Sequence, residues 1–168
     1  IVANASEIVY GDLIDITQAL SGDATGTVTY TFANGTIIEV VGVNESFVLS
    51  GLNAGSYVIY ANYSGDSNYA PASDSITIIV DRAVNNVMVY SFDVVYGGIS
   101  TIVLFADADG EYTLILGDKE LIVDVVGGRG NVEVALDAGS YDIIVEYVND
   151  NYENNVTSVP FTVSKATT

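Results

Sequence analysis

The sequence predicts an all-β protein made of two small sandwiches in tandem. Short runs rich in Val, Ile, Thr and Tyr carry apolar residues at alternate positions, and clusters of Gly, Asn, Asp and Ser separate them about every 8–12 residues. No stretch keeps a helical period over about ten residues. The same motifs also occur twice in the same order, which indicates two copies of one unit.

The repeat rests on short motifs at matched positions. The matched pairs, first copy and then second, are Tyr10-Gly11-Asp12 and Tyr96-Gly97-Gly98, Val40-Val41-Gly42 and Val125-Val126-Gly127, residues 52–57 and 136–141, Tyr63 and Tyr147, Asp66 and Asp150, and Asn68-Tyr69 and Asn151-Tyr152. The offsets run from 83 to 86 residues, so the copies differ by small loop insertions. We place the first unit at residues 1–82 and the second at residues 83–168.

The end of each copy is marked by a basic residue before Ala. Arg82-Ala83 recurs as Lys165-Ala166, at the point where a third copy would begin. We therefore expect this chain to be a piece of a longer array of the same units.

Each copy contains about seven predicted strands, which is the number expected of a small two-sheet sandwich. The predicted strands of the first copy are 7–10, 13–20, 26–32, 36–43, 46–49, 56–63 and 75–80, and the clearest ones of the second are 110–116, 121–126, 132–136, 141–148 and 158–163. Turns are predicted at 21–23, 34–35, 53–55 and 64–68. The alternation predicts which side chains point inward, for example Val28 and Tyr30 in one strand and Ile59 and Ala61 in another.

Two tyrosines begin a strand directly after a turn. Tyr57 and Tyr141 each close a Leu-x-x-Gly-x-Tyr motif. A hydroxyl at such a position can donate back to the backbone of the preceding connection, which is the tyrosine corner of immunoglobulin-like sandwiches. We assign this structural role to both residues, and the alternative is a phenol that stacks on a ligand.

Composition excludes several kinds of chemistry. Only 15% of the residues are charged, and 22 acidic residues against 4 basic ones give a net charge of −18. The absence of Cys and His excludes disulfides, thiolate or imidazole catalysis, and metals bound by those residues. Four cations are too few to neutralise a run of phosphates, so we expect neither nucleic acid nor an anionic membrane as partner. We also expect no enzyme activity, because a unit of about 84 residues has little room for a substrate cleft beside its core.

One acidic loop is a candidate calcium site. Asp107, Asp109 and Glu111 place three carboxylates at alternate positions within five residues, and Ca²⁺ binds six to eight oxygens. A solvated turn explains the same composition, and the matching loop of the first copy keeps only Asp23. Apart from this candidate calcium ion, we expect no cofactor.

Five Asn-x-Ser/Thr sequons are candidate acceptors of N-linked glycan. They are Asn4, Asn34, Asn44, Asn62 and Asn155. Such acceptors belong on exposed loops of secreted or surface proteins, and Asn62 is the least favoured because it falls inside a predicted strand.

The motifs together resemble a known family. Tyr10-Gly11-Asp12, then Ala54-Gly55-Ser56-Tyr57, then residues 63–69 and a last strand ending in Arg82-Ala83 are similar to the bacterial-type Ig-like repeats of very large surface proteins. The likeness extends to adhesin-like proteins of methanogenic archaea and covers nearly the whole chain. It implies two immunoglobulin-like sandwiches in an extracellular array at the cell surface. The second copy departs from the pattern, with Gly98 in place of Asp12.

These observations predict a stalk. We expect a monomeric tandem repeat that holds a distal adhesive region away from the cell, with neighbouring repeats of the same chain as its contacts. The alternative is an adhesive module that binds a glycan or protein of a host or partner cell through loops of the second copy. Its distinctive loop is residues 127–131, a Gly-rich segment that carries Arg129, one of only four basic residues.

Overall fold

A computed structural model describes residues 1–153 and 157–168 of the chain. Within these residues it contains sixteen β-strands and no helix, so the predicted all-β class is confirmed. The chain divides into two compact units, Ile1–Ala83 and Val84–Thr168, hereafter unit 1 and unit 2. None of the described residues forms a helix long and apolar enough to cross a membrane.

Unit 1 contains eight strands in two sheets. The strands are β1 (Val2–Ala3), β2 (Glu7–Val9), β3 (Ile14–Thr17), β4 (Thr27–Phe32), β5 (Ile37–Gly42), β6 (Phe47–Leu49), β7 (Gly55–Tyr63) and β8 (Ala72–Asp81). One sheet has the order β1-β3-β6 and the other β2-β8-β7-β4-β5. The early strand β2 pairs in parallel with the last strand β8, whereas the other paired strands are antiparallel.

The core of unit 1 lies between these two sheets, because each strand turns its alternate apolar side chains inward. Ile14 and Ile16 of β3 face Ile59 of β7 and Ile78 of β8, and all four are fully buried. Tyr30 of the central strand β4 is also fully buried, and its hydroxyl donates to the side-chain carbonyl of Gln18. This bond satisfies the phenol inside an otherwise apolar core.

Unit 2 repeats this architecture strand for strand. Its strands are β9 (Val87–Tyr90), β10 (Val94–Val95), β11 (Ser100–Ala106), β12 (Gly110–Leu116), β13 (Lys119–Val125), β14 (Arg129–Val134), β15 (Gly139–Glu146) and β16 (Thr157–Ser164). The sheets have the orders β14-β11-β9 and β10-β16-β15-β12-β13, and β10 pairs in parallel with β16. Both units are thus immunoglobulin-like sandwiches, as the sequence predicts.

The core of unit 2 encloses a polar network that begins just after the end of unit 1. Tyr112 of β12 is fully buried, and its hydroxyl donates to the carbonyl of Ala108 at 2.7 Å. Asn85, only 1% exposed, donates from its amide to the Tyr112 hydroxyl at 2.8 Å and accepts the Ala108 N–H at 3.1 Å. The segment before β9 is therefore fastened to the loop between β11 and β12.

Four strands have no counterpart among the strands predicted above, namely β1, β9, β10 and β11. β1 (Val2–Ala3) is too short to show an alternating pattern. β11 (Ser100–Ala106) was missed because its outward positions include Val103 and Phe105, so the run is apolar on both faces.

Candidate functional site

The loops at one end of unit 1 are fastened together by a single carboxylate. Asp66 lies in the loop after β7. It accepts the N–H of Thr25, which lies in the loop before β4, at 2.7 Å. Within its own loop it accepts the N–H groups of Asn68 at 2.7 Å and Tyr69 at 2.8 Å. It also accepts the hydroxyl of Tyr63 at 3.0 Å. We call this arrangement the Asp66 clasp.

The clasp stabilises the ionised form of the carboxyl group. Hydrogen bonds from the backbone of Thr25 and Asn68 hold the pKa of Asp66 well below its usual range. The pKa of the Tyr63 phenol is raised, by loss of solvent around it and then by its bond to Asp66. These bonds tie the loop after β7 to the loop before β4, so the geometry indicates a structural role.

The corresponding loop of unit 2 is fastened by a neutral side chain. The sequence repeat pairs Asp66 with Asp150, but Asn149 is the residue that accepts the N–H two positions later, from Asn151 at 2.9 Å. The Asn149 amide also donates to the hydroxyl of Tyr147 at 3.2 Å. Sequence matching therefore missed this residue by one position, because it compares residue types and not hydrogen bonds.

The structure does not bring together the three carboxylates of the candidate calcium site. Asp107 accepts bonds from Asn86, with the closest at 2.6 Å from its amide. Asp109 accepts the N–H groups of Gly128 at 2.8 Å and Gly127 at 2.9 Å, which hold its pKa below the usual value. In the described parts of the chain, no group of three acidic residues is placed to hold a metal ion. The geometry thus gives no support to a calcium site that includes Glu111.

Both predicted corner tyrosines donate to the backbone four residues earlier. The Tyr57 hydroxyl donates to the carbonyl of Asn53 at 2.8 Å, and the Tyr141 hydroxyl donates to that of Asp137 at the same distance. Each bond ties the start of a strand to the connection that precedes it. Such a bond uses the phenolic proton, whereas the phenolic oxygen remains able to accept.

Four of the five sequons lie in described residues, all in unit 1 and all exposed. Asn4, Asn34 and Asn44 lie in bends or turns, and Asn62 lies within β7. In the first three the side-chain oxygen accepts a backbone N–H, from Asp15, Thr36 and Leu20 respectively. These bonds involve Oδ1 and not the nitrogen that glycosylation modifies. The fifth sequon, at Asn155, lies outside the described residues.

Unit 2 exposes a group of large side chains that the sequence analysis did not single out. The outward positions of β9 and β11 carry Met88, Tyr90, Val103 and Phe105, which we call the aromatic face. Met88 and Tyr90 are about half exposed, and Phe105 is 37% exposed. The rings of Tyr90 and Phe105 meet edge to face, with 5.8 Å between their centroids. The signal that could have found them is the doubly apolar run of β11.

Arg129 borders this face. It is the first residue of β14, where it lies opposite Phe105 in the strand register. Its guanidinium carbon lies over the Phe105 ring, 5.8 Å from the centroid, at the distance of a cation–π contact. The sequence predicts that Arg129 lies in a Gly-rich loop. The structure instead begins a strand at this residue, beside aromatic side chains.

The corresponding sheet of unit 1 has no aromatic side chain at its outward positions, which are Val2, Asp15, Thr17 and Val48. The buried Ile14 and Ile16 of β3 correspond in the sandwich to the buried Ser100 and Ile102 of β11, so the outward Asp15 and Thr17 correspond to Thr101 and Val103. The two units thus share a core and differ in surface chemistry at matched positions.

An open groove of about 360 Å³ also lies in unit 2. Its lining includes Tyr96, Asp118, Lys119, Asp137 and Tyr141. The ammonium of Lys119 donates to the carbonyl of Ala135 at 3.0 Å, and the Tyr141 hydroxyl is held in its corner bond. Neither this groove nor the fold shows an enzyme activity.

Comparison with known protein families agrees with the fold of unit 1. Residues 1–81 match the family model of the bacterial Ig-like domain (group 3). The match confirms the bacterial Ig-like resemblance for this unit. A comparison with curated proteins finds no match.

Solved structures that match this chain come from proteins of several kinds. The fibronectin(III)-like modules of Clostridium thermocellum CbhA are 15% identical, with a TM-score of 0.44, over 98% of this chain and 94% of that one. The Bacteroides ovatus protein SGBP-B, solved with a mixed-linkage heptasaccharide, is 15% identical with a TM-score of 0.39, over 94% of this chain and 42% of that one. The BSP domain of a biofilm-associated protein is 17% identical with a TM-score of 0.33, over 99% of this chain and 30% of that one.

Proposed function

We propose that the chain is a tandem Ig-like segment of a cell-surface adhesin-like protein, in which it acts as a spacer that presents a distal adhesive region. The observation that carries this proposal is the repetition of one complete sandwich, each copy with its own core. Such units extend a chain without needing any chemistry of their own. The parent protein is an extracellular array of the adhesin-like type found in methanogenic archaea, with neighbouring repeats as the contacts of this segment.

The strand order suits a segment that bears tension. In each unit an early strand pairs in parallel with the last strand, β2 with β8 and β10 with β16. Tension applied at the two ends pulls these parallel neighbours in opposite directions along their length. Their evenly spaced hydrogen bonds then resist together, because a force along the strands loads them in shear and does not open them one at a time.

Surface properties support the same role. Four exposed sequons in unit 1 offer sites for glycan, which would shield the spacer from proteases. The net charge of −18 opposes non-specific association between neighbouring chains.

Single-molecule pulling of the 168-residue chain tests this proposal. We expect two unfolding events with resolved force peaks. The substitution Tyr96→Pro removes the N–H that donates to the Ser164 carbonyl at 2.8 Å, so one of the two peaks should move to lower force. Tyr96→Ala is the matched control, since it removes the same exposed side chain and keeps the N–H. Unfolding of the natural chain without a resolved peak would contradict the proposal.

A binding role for unit 2 is the second candidate, in which the segment itself adheres to a glycan or protein of a partner cell. The observation that favours it is Arg129, held over Phe105 at the border of the aromatic face. A glycan array probed with the full chain tests this candidate. Specific binding that is lost in Arg129→Ala would support it, and the absence of any binding would count against the glycan form.

A further inference from the structure

The aromatic face has the composition of a protein contact surface. Met, Tyr, Phe and Arg are the residue types enriched at the centres of protein interfaces, whereas acidic residues are depleted there. Met88, Tyr90, Phe105 and Arg129 supply all four types on one side of the sheet β14-β11-β9.

Two opposite charges lie at the two ends of the outer strand of this sheet. Arg129 and Glu133 are both exposed positions of β14, four residues apart, which is about 13 Å along a strand. Asn131, also exposed, lies midway between them and opposite Val103. The ion pair found among the described residues is that of the Ile1 amino group with Asp74, so neither Arg129 nor Glu133 is paired within this part of the chain.

We propose that this face is a self-association surface, through which two copies of the chain form a weak two-fold dimer. The two-fold axis passes over Asn131, runs parallel to the plane of the sheet and is perpendicular to its strands. It brings β14 of one copy over β14 of the other, with the two strands running in opposite directions. Arg129 of each copy then lies over Glu133 of its partner. The two Asn131 amides meet at the axis, where each can donate to and accept from the other.

The apolar residues match under the same operation. Val103 and Tyr90 lie beside Asn131 in the strand register, in a line across the sheet. Each therefore lies near the same residue of the partner. Phe105 lies over the methyl group of the partner's Thr101. The axis thus pairs the charges and buries Val103, Tyr90 and Phe105 at once, as an isologous interface requires.

The size of the face sets the strength of the dimer. Three strands of up to seven residues cover about 14 by 23 Å, so two copies bury on the order of 700 Å². Stable complexes bury at least about 1,200 Å² in total. We therefore expect a dimer that forms only at high protein concentration or between tethered chains, where the effective concentration is high.

The net charge opposes the dimer and gives it a characteristic salt dependence. The chain carries a charge of −18, and Glu133 is the one acidic residue among the outward positions of β9, β11 and β14. Repulsion between the other carboxylates acts over longer distances and is screened beyond about 8 Å at physiological ionic strength. Added salt should therefore strengthen association, because the contact itself is mainly apolar. The proposal does not depend on the spacer function.

Sedimentation velocity of the full chain tests the proposal. The weight-average sedimentation coefficient should rise as the protein concentration increases from about 10 μM to 1 mM, and more so in 0.5 M than in 0.05 M NaCl. Arg129→Glu and Glu133→Arg should each raise the dissociation constant at least tenfold, because each places like charges opposite one another. The double charge swap should restore association to within about threefold of the natural chain.

Two further variants separate this face from a general effect of exposed apolar side chains. Phe105→Thr replaces the exposed ring by a small polar side chain, and it should abolish association. Ile122→Thr alters a more exposed apolar residue on the opposite sheet and should leave association unchanged. A monomer at 1 mM in both salt concentrations would overturn the proposal. So would equal effects of the two variants, or a charge swap that fails to restore association while circular dichroism shows a folded chain.

Discussion

Single residues decide how the loops of each unit are held, and the two units differ in charge at this point. In unit 1 the carboxylate of Asp66 accepts N–H groups from two loops. In unit 2 the neutral amide of Asn149 accepts the N–H of Asn151. A charged acceptor forms stronger hydrogen bonds but binds a proton in acid. The loops that Asp66 holds in unit 1 should therefore lose stability in acid. The loop that Asn149 holds in unit 2 should not, because the amide does not titrate.

The variant Asp66→Asn tests the clasp through its pH dependence. Because the folded state holds the pKa of Asp66 well below 3.8, the ionised clasp stabilises unit 1 fully above about pH 4. This contribution is lost as the pH falls through the lowered pKa. At pH 7 we expect the variant to lower the melting temperature of unit 1 by several degrees, and the difference should shrink between pH 4 and pH 2. A difference that is constant over this range would contradict the role of the charge.

The corner tyrosines allow a second test with a matched control. Tyr57→Phe and Tyr141→Phe each remove one hydroxyl-to-carbonyl bond and keep the ring, so each should lower the free energy of unfolding by about 1 kcal/mol. Tyr60→Phe, at a more exposed position of the same strand as Tyr57, should change it by less than about 0.3 kcal/mol. Urea unfolding measures all three, and equal effects at Tyr57 and Tyr60 would argue against the corner bond.

The neighbouring loops and strands determine which groups the carboxylates of segment 107–111 bind. The turn between β13 and β14 presents the N–H groups of Gly127 and Gly128 to Asp109. Both glycines have positive φ angles, which a residue with a side chain adopts only with strain. Asp107 is drawn instead to Asn86, in the segment before β9. Strand connections thus separate carboxylates that are close together in the sequence.

Metal removal provides the corresponding measurement. Since Asp107 and Asp109 already bind groups of the protein, neither 5 mM EDTA nor 5 mM CaCl₂ should shift the melting temperature of unit 2 by more than about 1 °C. Asp109→Ala should lower it by several degrees with or without chelator, because it removes two hydrogen bonds from the β13–β14 turn. Stabilisation by calcium that disappears in Asp109→Ala would restore the metal interpretation.

The whole molecule consists of two sandwiches with the same strand order and different surfaces. Each unit has a continuous cluster of buried apolar residues of its own. Unit 1 has the four described sequons and a β1-β3-β6 sheet without outward aromatic side chains, whereas unit 2 has the aromatic face. We propose that the boundary lies near residue 83, and that the units are separate folding domains.

Separate expression of the units tests this boundary. Residues 84–168 should fold alone with a cooperative transition. Residues 87–168 lack both Asn85 and Asn86, and Asn85 makes two buried hydrogen bonds, with Tyr112 and Ala108. The free energy of unfolding of this fragment should therefore be lower by about 2–4 kcal/mol. A fragment that starts at residue 82 serves as the control and should match 84–168. Equal stability of all three fragments would show that Asn85 does not belong to the core of unit 2.

The strand pattern and the repeat were predictable because both are local properties. Alternating side chains such as those around Tyr30 and Ile59 fix the β class and the inward face. The Leu-x-x-Gly-x-Tyr motif placed Tyr57 and Tyr141 at the start of strands, where the structure has them. These features depend on neighbours a few positions away, so the order of residues is sufficient to reveal them.

Only the tertiary structure decided which distant groups meet. Asp109 binds the turn at Gly127 and Gly128, Asn85 reaches Tyr112, and Arg129 lies over Phe105, each across 18 or more residues. Composition determined what chemistry is absent, since a chain without Cys or His lacks those functional groups in any fold. Strand pairing across the sheets decides which acidic residue binds which loop and which side of a strand meets solvent. The local pattern of a single sequence does not reveal that pairing.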